Sequence, residues 1–476
     1  MHAAWIYLLT FAELTIKIVA TAHAVLYKRD ARSVIGWVGL IWLVPFLGAL
    51  LYWLFGINRI ARRAKALRPA AGKKTLSPEP TATINATPDL ADHSYLLPLM
   101  QLVGNVTGLP LTVANSVKPL ANGDEAYPAM LQAISEATRS IALTSYIFDN
   151  DQIGQTFARH LAEAQQRGVE VRVLIDSVGA RYSWPTIFGN LRKLGIRAAA
   201  FNPTLIPRSF RYSNLRSHRK LLVIDGRDAF TGGLNIRDSC LLKNQSEQPI
   251  QDLHFCVNGP VVRQLLDTFA VDWYFATEET LTGPAWDVAE CSPGATFARV
   301  ISDGPDESFD YLRLTLLGAI DCAQHSIKIA TPYFLPDATL ISSLNVAALQ
   351  GIRVEILIPA KNNLRFVQWA STAQLWQVLE RGCHVSLSPP PFDHTKLMII
   401  DDRWVLLGSA NWDARSLRLN FELNLECYDR ELGKQLAEYF DNKFRQATPV
   451  TLQDVNERNL WVRLRDGTAR LLSPYL

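Results

Sequence analysis

Two long apolar segments occupy the start of the chain, whereas the rest alternates short apolar runs with polar residues. Residues 34–57 carry no charge, are rich in Trp, Leu, Ile and Phe, and are long enough to cross a bilayer, with a kink predicted at Pro45. Residues 3–26 are mostly apolar, and their charged pair Glu13 and Lys17 lies one helical turn apart. The pattern predicts two membrane spans joined by a short loop, with a re-entrant hairpin as the alternative.

A basic run follows the second apolar segment and meets no acid before Glu79. Because the cytoplasmic flanks of membrane spans are enriched in Lys and Arg, this run predicts that the rest of the chain lies in the cytoplasm. The same charges would attract anionic headgroups, although a plain topology signal explains them equally well. Residues 69–94, rich in Pro, Ala, Thr and Ser, are typical of a flexible tether. The basic residues are Arg59, Arg62, Arg63, Lys65, Arg68, Lys73 and Lys74.

Beyond the tether, one plan of strand, helix and strand occurs twice. Residues 140–146 and 169–175 are β-prone and flank a helical pattern that stops at Gly168. Residues 326–331 and 352–358 repeat the arrangement. Each copy predicts a β-α-β unit, so we expect an α/β fold of two similar halves. The predicted division is 1–58 for the anchor, 59–108 for the basic segment and linker, 109–292 and 293–450 for the two halves, and 451–476 for a C-terminal segment.

Composition narrows the chemistry only slightly. The 476 residues carry a net charge of +3, so no global field attracts a polyanion. The six cysteines form no C-x-x-C and no close pair, which argues against a zinc ribbon or a disulfide framework. Reduced thiols in the cytosol are the simplest interpretation.

Each predicted half contains the motif H-x-K-x-x-x-x-D. The first comprises His218, Lys220 and Asp225, and the second comprises His394, Lys396 and Asp401. The surroundings repeat as well, since an asparagine after two small residues follows each histidine by 17 positions. These asparagines are Asn235 and Asn411.

The residues around each motif indicate its geometry. An apolar, β-prone run follows each lysine, so each motif begins a buried strand. Residues i and i+2 of a strand project to one face, which puts each histidine beside its lysine. Asp225 and Asp401 stand at turn signals, which favours a structural over a reacting role for these members of the motif.

Two histidine–lysine pairs suit displacement at a phosphodiester. That reaction needs a nucleophile, a proton donor for the leaving oxygen and cationic or hydrogen-bonding groups around the phosphate. One pair cannot attack from one side and protonate on the other, but two facing pairs can. Lysines and asparagines would hold the non-bridging oxygens, and no carboxylate cluster requires a metal. We therefore predict neither a metal nor a cofactor.

Both motifs and nearly the whole soluble part resemble the phospholipase D superfamily. Within it the chain is similar to bacterial cardiolipin synthases, through the double-span anchor and through residues 331–336, 394–396, 409–416, 420–422 and 472–476. The resemblance implies a mixed sheet flanked by helices in each half, with the halves packed about a pseudo-twofold axis. It also implies a multi-pass protein of the bacterial inner membrane whose catalytic part is cytoplasmic.

The resemblance further implies a two-step transfer between phosphatidylglycerol molecules, giving cardiolipin and glycerol. His218 would attack and become phosphatidyl-histidine, and His394 would act as acid and base. Asp252 and Glu422 fit the acids that orient the histidines. The implied partners are anionic phospholipids and the membrane, with no protein partner.

Rival functions use the same residues. Hydrolysis, as in a phospholipase D or a nuclease, differs only in its acceptor, and so does transfer to another alcohol. The anchor favours lipid over nucleic acid, and no basic patch interleaved with aromatic residues is present. A catalytically silent membrane scaffold is disfavoured by two intact motifs. The mixed basic and apolar segment 456–476 fits either a membrane-surface helix or a helix packed on the domain.

Overall fold

The computed structural model describes residues 2–28, 31–56, 94–203, 215–244, 246–289, 291, 294–305 and 310–473. The predicted basic run and most of the tether therefore lie outside the described residues, as do residues 474–476 of the terminal motif.

The two apolar segments at the N-terminus form a helical hairpin. The first is one continuous helix, His2–Tyr27, and its residues Trp5–Tyr27 are long and apolar enough to span a membrane. The second segment is broken into Ala31–Leu43, Leu47–Leu51 and a π-helical turn, Tyr52–Gly56.

The break in the second segment lies at Pro45, where the sequence predicts a kink, and it divides the second predicted span into short helices. Pro45 has no N–H to donate to the helical ladder, and Phe46 after it has a φ of 54°. The 13-residue helix before the break rises only about 20 Å, less than the hydrocarbon core of a bilayer.

Contacts across the hairpin hold its two arms together. His23 Nδ1 lies 2.8 Å from the hydroxyl of Tyr52, and Trp42 Nε1 donates to Thr21 Oγ1 at 3.0 Å. On the first arm, the expected pair of Glu13 and Lys17 forms at 2.5 Å.

The rest of the described chain is built on one wide mixed sheet with helices packed on it. In the first half the strands are β1 (Thr112–Ala121), β2 (Ser140–Ser145), β3 (Glu170–Asp176), β4 (Ala198–Phe201), β5 (Arg216–Ser217), β6 (Leu221–Ile224), β7 (Asp228–Gly232), β8 (Ile250–Gln251) and β9 (Leu253–Asn258). In the second half they are β10 (Thr296–Asp303), β11 (Ser326–Ala330), β12 (Arg353–Pro359), β13 (His384–Ser388), β14 (Phe392–Asp393), β15 (Leu397–Ile400), β16 (Trp404–Gly408), β17 (Asn420–Tyr428) and β18 (Thr448–Val450).

Helices connect these strands and cover the sheet. Those before and within the first half are Leu97–Thr107, Asn122–Glu136, Gln152–Gln166, Ile187–Lys193 and Val262–Thr277. Those of the second half and the C-terminus are Tyr311–Cys322, Ala338–Leu349, Arg365–Thr372, Trp376–Leu379, Ala414–Arg418, Arg430–Gln446, Leu452–Asn456 and Leu460–Leu471.

The strand order confirms two halves of one design. The first half runs β1-β9-β7-β6-β2-β3-β4, and the second runs β10-β17-β16-β15-β11-β12-β13 in the corresponding order. The predicted β-α-β units are the parallel pairs β2–β3 and β11–β12. The halves meet at β1 and β10, which pair in antiparallel fashion and so relate the halves by a pseudo-twofold axis. Strands such as β6 and β15 are buried throughout, because helices cover both faces of the sheet.

Two short strand pairs connect the halves near the motifs. Ser217 of β5 pairs with Phe421 of β17, and Gln251 of β8 pairs with Asp393 of β14. The peptide N–H of His218 donates to the Phe421 carbonyl at 2.9 Å, and that of His394 donates to the Gln251 carbonyl at 2.8 Å. The backbone of each motif histidine is thus held by the opposite half.

The motif aspartates close turns at the far ends of β6 and β15. Asp225 and Asp401 have φ values of 54° and 53°. The Asp225 carboxylate accepts the backbone N–H groups of residues 138–140 at 2.7–2.9 Å, and Asp401 accepts those of residues 324–326 at 2.7–2.8 Å. Burial opposes ionisation of Asp225, but these hydrogen bonds outweigh it and hold its pKa below the ordinary range. Both carboxylates join the start of a β-α-β unit to the motif strand.

Replacing Asp225 with Ala tests this structural role. The variant leaves three backbone N–H groups without their charged acceptor, so we expect the melting temperature to fall by about 5–10 °C. Because the folded pKa is depressed, the contribution of Asp225 is present above the unfolded pKa and is lost as the pH falls through the acid range. The difference between wild type and variant should therefore shrink towards pH 3. Glu163→Ala, an exposed carboxylate on Gln152–Gln166, is the control, and an equal shift for both would contradict the role.

Candidate active site

One cavity at the junction of the halves is lined by half of the ten predicted site residues. Both motif histidines, both asparagines and Asp252 line it. Glu422 and the two lysines are buried behind this lining. Asp225 and Asp401 do not reach it, because they stand in turns at the opposite ends of the motif strands.

The acids pair with the histidines across the halves rather than within them. Nδ1 of His218 lies 3.0 Å from Oε2 of Glu422, and Nδ1 of His394 lies 2.7 Å from Oδ2 of Asp252. Asp252 follows the first motif in sequence and Glu422 follows the second, so each acid serves the histidine of the other half. The spacing along the chain contains no signal for this exchange.

The small residues before each asparagine make room for these acids. A Cβ at Gly233 would collide with the Asp252 carboxylate. The equivalent position in the second half is Ser409, whose hydroxyl donates to Glu422 Oε2 at 2.5 Å. Asn420 adds a second donor to this carboxylate at 3.1 Å. The replacement of the second glycine by serine therefore gives the buried Glu422 an extra hydrogen bond.

The acceptors around the rings fix their tautomers. Nδ1 of His218 faces both Glu422 and the carbonyl oxygen of Ser409, at 3.0 Å each, so it must carry the proton. Nε2 then holds a lone pair, as it also does in His394. Burial lowers the pKa of His218 and lowers that of His394 to about 4, despite the neighbouring carboxylates. Both imidazoles are consequently neutral near pH 7 in the free protein.

The motif lysines reinforce this charge pattern. The ammonium group of Lys220 donates to the carbonyl of His218 at 2.6 Å, and Lys396 donates to the carbonyl of His394 in the same way. Burial lowers the pKa of Lys220 to about 7 and that of Lys396 to about 8. By charge repulsion, both lysines also lower the pKa of both histidines, and Lys396 lowers that of Lys220. An anion entering the cavity would favour the charged form of both lysines.

The asparagines present amide groups to the cavity. Oδ1 of Asn235 accepts the backbone N–H of Ile147 at 3.1 Å, so its nitrogen is the end that can donate to a phosphate oxygen. Oδ1 of Asn411 is buried and accepts no hydrogen bond from the described residues, so this amide is not held at its oxygen end as that of Asn235 is.

Several lining residues were not predicted from the sequence. The ring of Tyr146 lies 5.1 Å from that of His218, and the ring of Tyr333 lies 6.5 Å from that of His394. These tyrosines follow β2 and β11, but they stand one position apart when the repeats are aligned on Phe148 and Phe334, so the repeat alone does not pair them. The cavity is also lined by Arg237, Asp413 and Arg415, which follow the asparagines.

Two motif histidines in one cavity of a duplicated α/β sheet define a protein of the phospholipase D class. A family model described as cardiolipin synthase, PLD-like domain, matches residues 130–273 and 316–444, and one described as phospholipase D-nuclease N-terminal matches residues 16–56. The chain belongs to the cardiolipin synthase family of phospholipase D-like proteins. Together with the apolar N-terminal helix, this makes it a membrane-associated protein.

Named relatives and a solved structure agree with this family. A cardiolipin synthase of Geobacillus sp. (strain WCH70) is 32% identical over 95% of this chain and 90% of its own length. The major cardiolipin synthase ClsA of Bacillus subtilis (strain 168) is 33% identical over 94% of this chain and 95% of its own length. The crystal structure of a phosphatidylserine synthase of Haemophilus influenzae Rd KW20 aligns with a TM-score of 0.63 at 18% identity, covering 79% of this chain and all of that one, which supports the fold.

Asp252→Asn tests the pairing across the halves. The amide removes the charge beside His394 and can donate to Nδ1, which would move the ring proton to Nε2. We expect kcat for phosphodiester turnover to fall by about two orders of magnitude or more, with the melting temperature little changed. Asp267→Asn, a half-buried acid on Val262–Thr277, is the matched control. A kcat within twofold of wild type for Asp252→Asn would contradict the role.

Proposed function

We propose that the protein is a cardiolipin synthase that transfers a phosphatidyl group from one phosphatidylglycerol to another. The observation that carries the proposal is the pair of imidazoles in one cavity, each with Nδ1 bound by a buried acid, which leaves Nε2 for the reaction. The proposed substrates are anionic phospholipids. Relatives that the chain matches over nearly their whole length are named cardiolipin synthases.

In the first proposed step, Nε2 of His218 attacks the phosphorus of phosphatidylglycerol. The bond between phosphorus and the headgroup glycerol oxygen breaks, and His394 gives that oxygen a proton. The anionic phosphodiester beside His394 raises the pKa of its imidazole, so the proton enters the cavity with the substrate. The products are free glycerol and a phosphatidyl group bonded to His218.

In the second proposed step, a headgroup hydroxyl of another phosphatidylglycerol replaces the glycerol. Nε2 of His394, now neutral, accepts the proton of this hydroxyl, and the hydroxyl oxygen attacks the phosphorus. The bond between phosphorus and His218 breaks, giving cardiolipin, and His394 releases its proton when the anionic product leaves, which restores the original enzyme. Lys220, Lys396 and the amides of Asn235 and Asn411 stabilise the charge on the non-bridging oxygens.

The assignment of His218 as nucleophile comes from the family resemblance, because the pseudo-twofold cavity provides similar surroundings for both rings. Asp225 and Asp401 act in this proposal as structural members of the motif.

We also propose that the catalytic part lies on the cytoplasmic side of the bacterial inner membrane. The basic run after residue 58 supports this orientation. We further propose that the chain divides into five parts. These are the anchor 1–58, the basic segment and linker 59–108, the two halves 109–292 and 293–450, and the C-terminal segment 451–476.

Incubating the purified protein with phosphatidylglycerol labelled in its acyl chains tests the proposal. We expect cardiolipin and one glycerol per cardiolipin, measured by chromatography and mass spectrometry, and no turnover by His218→Ala or His394→Ala. Phosphatidic acid without cardiolipin would identify hydrolysis instead. Equal turnover by wild type and both alanine variants would contradict any role of these histidines.

A further inference from the structure

The C-terminal helix Leu460–Leu471 turns its apolar side away from the protein. Its packed side includes the charged Asp466, only 1% exposed, which binds Arg458 at 2.5 Å and Arg465 at 2.8 Å. Its outer side carries Trp461 and Leu464, which are 76% and 52% exposed. A surface helix of a soluble protein normally has the opposite arrangement.

This helix lies directly behind the wall of the active-site cavity. It packs on helix Arg365–Thr372, and Ala469 shares a small apolar cluster with Val367 and Tyr333. Val367 and Tyr333 line the cavity. Arg465 strengthens the packing, since its guanidinium lies 4.3 Å from the ring centre of Trp369. The outward apolar stripe is therefore fixed relative to the reacting groups.

Exposed apolar side chains also stand at the rim of the cavity, on equivalent loops of the two halves. In the first half, the loop after β3 carries Tyr182, which lines the cavity, and Trp184, which is 90% exposed. In the second half, the segment after β12 carries Leu364, which lines the cavity, and Phe366, and both are exposed. We define the mouth face by these exposed apolar residues: Tyr182, Trp184, Leu364, Phe366, Trp461 and Leu464.

Basic side chains are interleaved with the mouth face. In the sequence, exposed Lys and Arg residues lie within three positions of mouth-face residues on both halves and on the C-terminal helix. Aromatic and aliphatic side chains interspersed with Lys and Arg are the composition of segments that lie in the interface of an anionic bilayer. The cations are Arg181, Lys361, Arg365 and Arg463.

We propose that the mouth face docks on the surface of a bilayer containing anionic phospholipid and sets the cavity opening against the headgroups. The proposal rests on the proposed function in one respect, since it takes the substrate to be a lipid in that bilayer. The apolar N-terminal helix keeps the protein at the membrane, and the mouth face orients the cavity. A phospholipid then reaches the histidines with its acyl chains still in the bilayer.

The test compares two forms of phosphatidylglycerol with the full-length protein. One is long-chain lipid in vesicles, in which the protein is reconstituted. The other is short-chain lipid supplied to the detergent-solubilised protein, where no bilayer is present. The variants are Trp461→Ser combined with Leu464→Ser, and Trp184→Ser alone. The matched control is Val346→Ser combined with Leu349→Ser, which removes two exposed apolar side chains from helix Ala338–Leu349, outside the cavity lining.

We expect each mouth-face variant to lose at least tenfold in turnover of vesicle lipid and to stay within twofold of wild type on the short-chain lipid. The control should match wild type on both. Unchanged vesicle turnover would overturn the proposal, and so would an equal loss on both lipids, which would show that these residues support the cavity itself. If the mouth-face variants had a smaller molecular mass than wild type in detergent and an unchanged ratio of the two rates, the occupant of the face would be a second copy of the chain. That result would also overturn the proposal.

A second readout separates this proposal from the proposed function. If wild type turned over neither lipid, the proposed function would fail, but docking would still be measurable by quenching of tryptophan fluorescence with brominated lipids in vesicles. Docking predicts that Trp461→Ser and Trp184→Ser each reduce the quenched fraction of the fluorescence. An unchanged quenched fraction in both variants would overturn docking independently of turnover.

Discussion

The hydrogen bonds from the two motif histidines to Glu422 and Asp252 are the interactions on which the rest of the site depends. Each bond joins a histidine of one half to an acid of the other, so neither half contains an oriented imidazole by itself. A buried carboxylate is costly unless it is paired and hydrogen-bonded. The pseudo-twofold packing supplies such a partner to both acids, and backbone hydrogen bonds from the two motif histidines hold each of them against the opposite half.

The electrostatics of the cavity follow from this exchange. Two buried carboxylates and two buried lysines lie around two imidazoles whose pKa values are lowered, so the rings are neutral and present lone pairs. An anionic phosphodiester restores the affinity of one ring for a proton and favours the charged lysines. In the proposed reaction, the substrate thereby creates the acid that its own leaving oxygen requires, while the other ring remains the nucleophile.

Much of this arrangement could be predicted from the sequence, because repetition and strand parity are local properties. The two β-α-β units, the motif strands and the turns at Asp225 and Asp401 follow from patterns a few residues long. The exchange of acids could not be predicted, because it depends on how β5 meets β17 and β8 meets β14. The break at Pro45 was predicted only as a kink, since hydropathy measures length and not the continuity of backbone hydrogen bonds. The outward face of Leu460–Leu471 was undetermined, because only tertiary packing decides which side of a helix is covered.

The central claim is that two histidines act on opposite sides of one phosphorus, His218 as nucleophile and His394 as acid. Its most direct test is single-turnover release of p-nitrophenol from phosphatidyl-p-nitrophenol, whose leaving oxygen needs no proton. We expect His394→Ala to release about one equivalent and to retain a phosphatidyl group on His218, detectable by mass spectrometry, whereas His218→Ala should release none. Release by His218→Ala with a phosphatidyl group on His394 would reverse the assignment, and release by neither variant would contradict the division of roles.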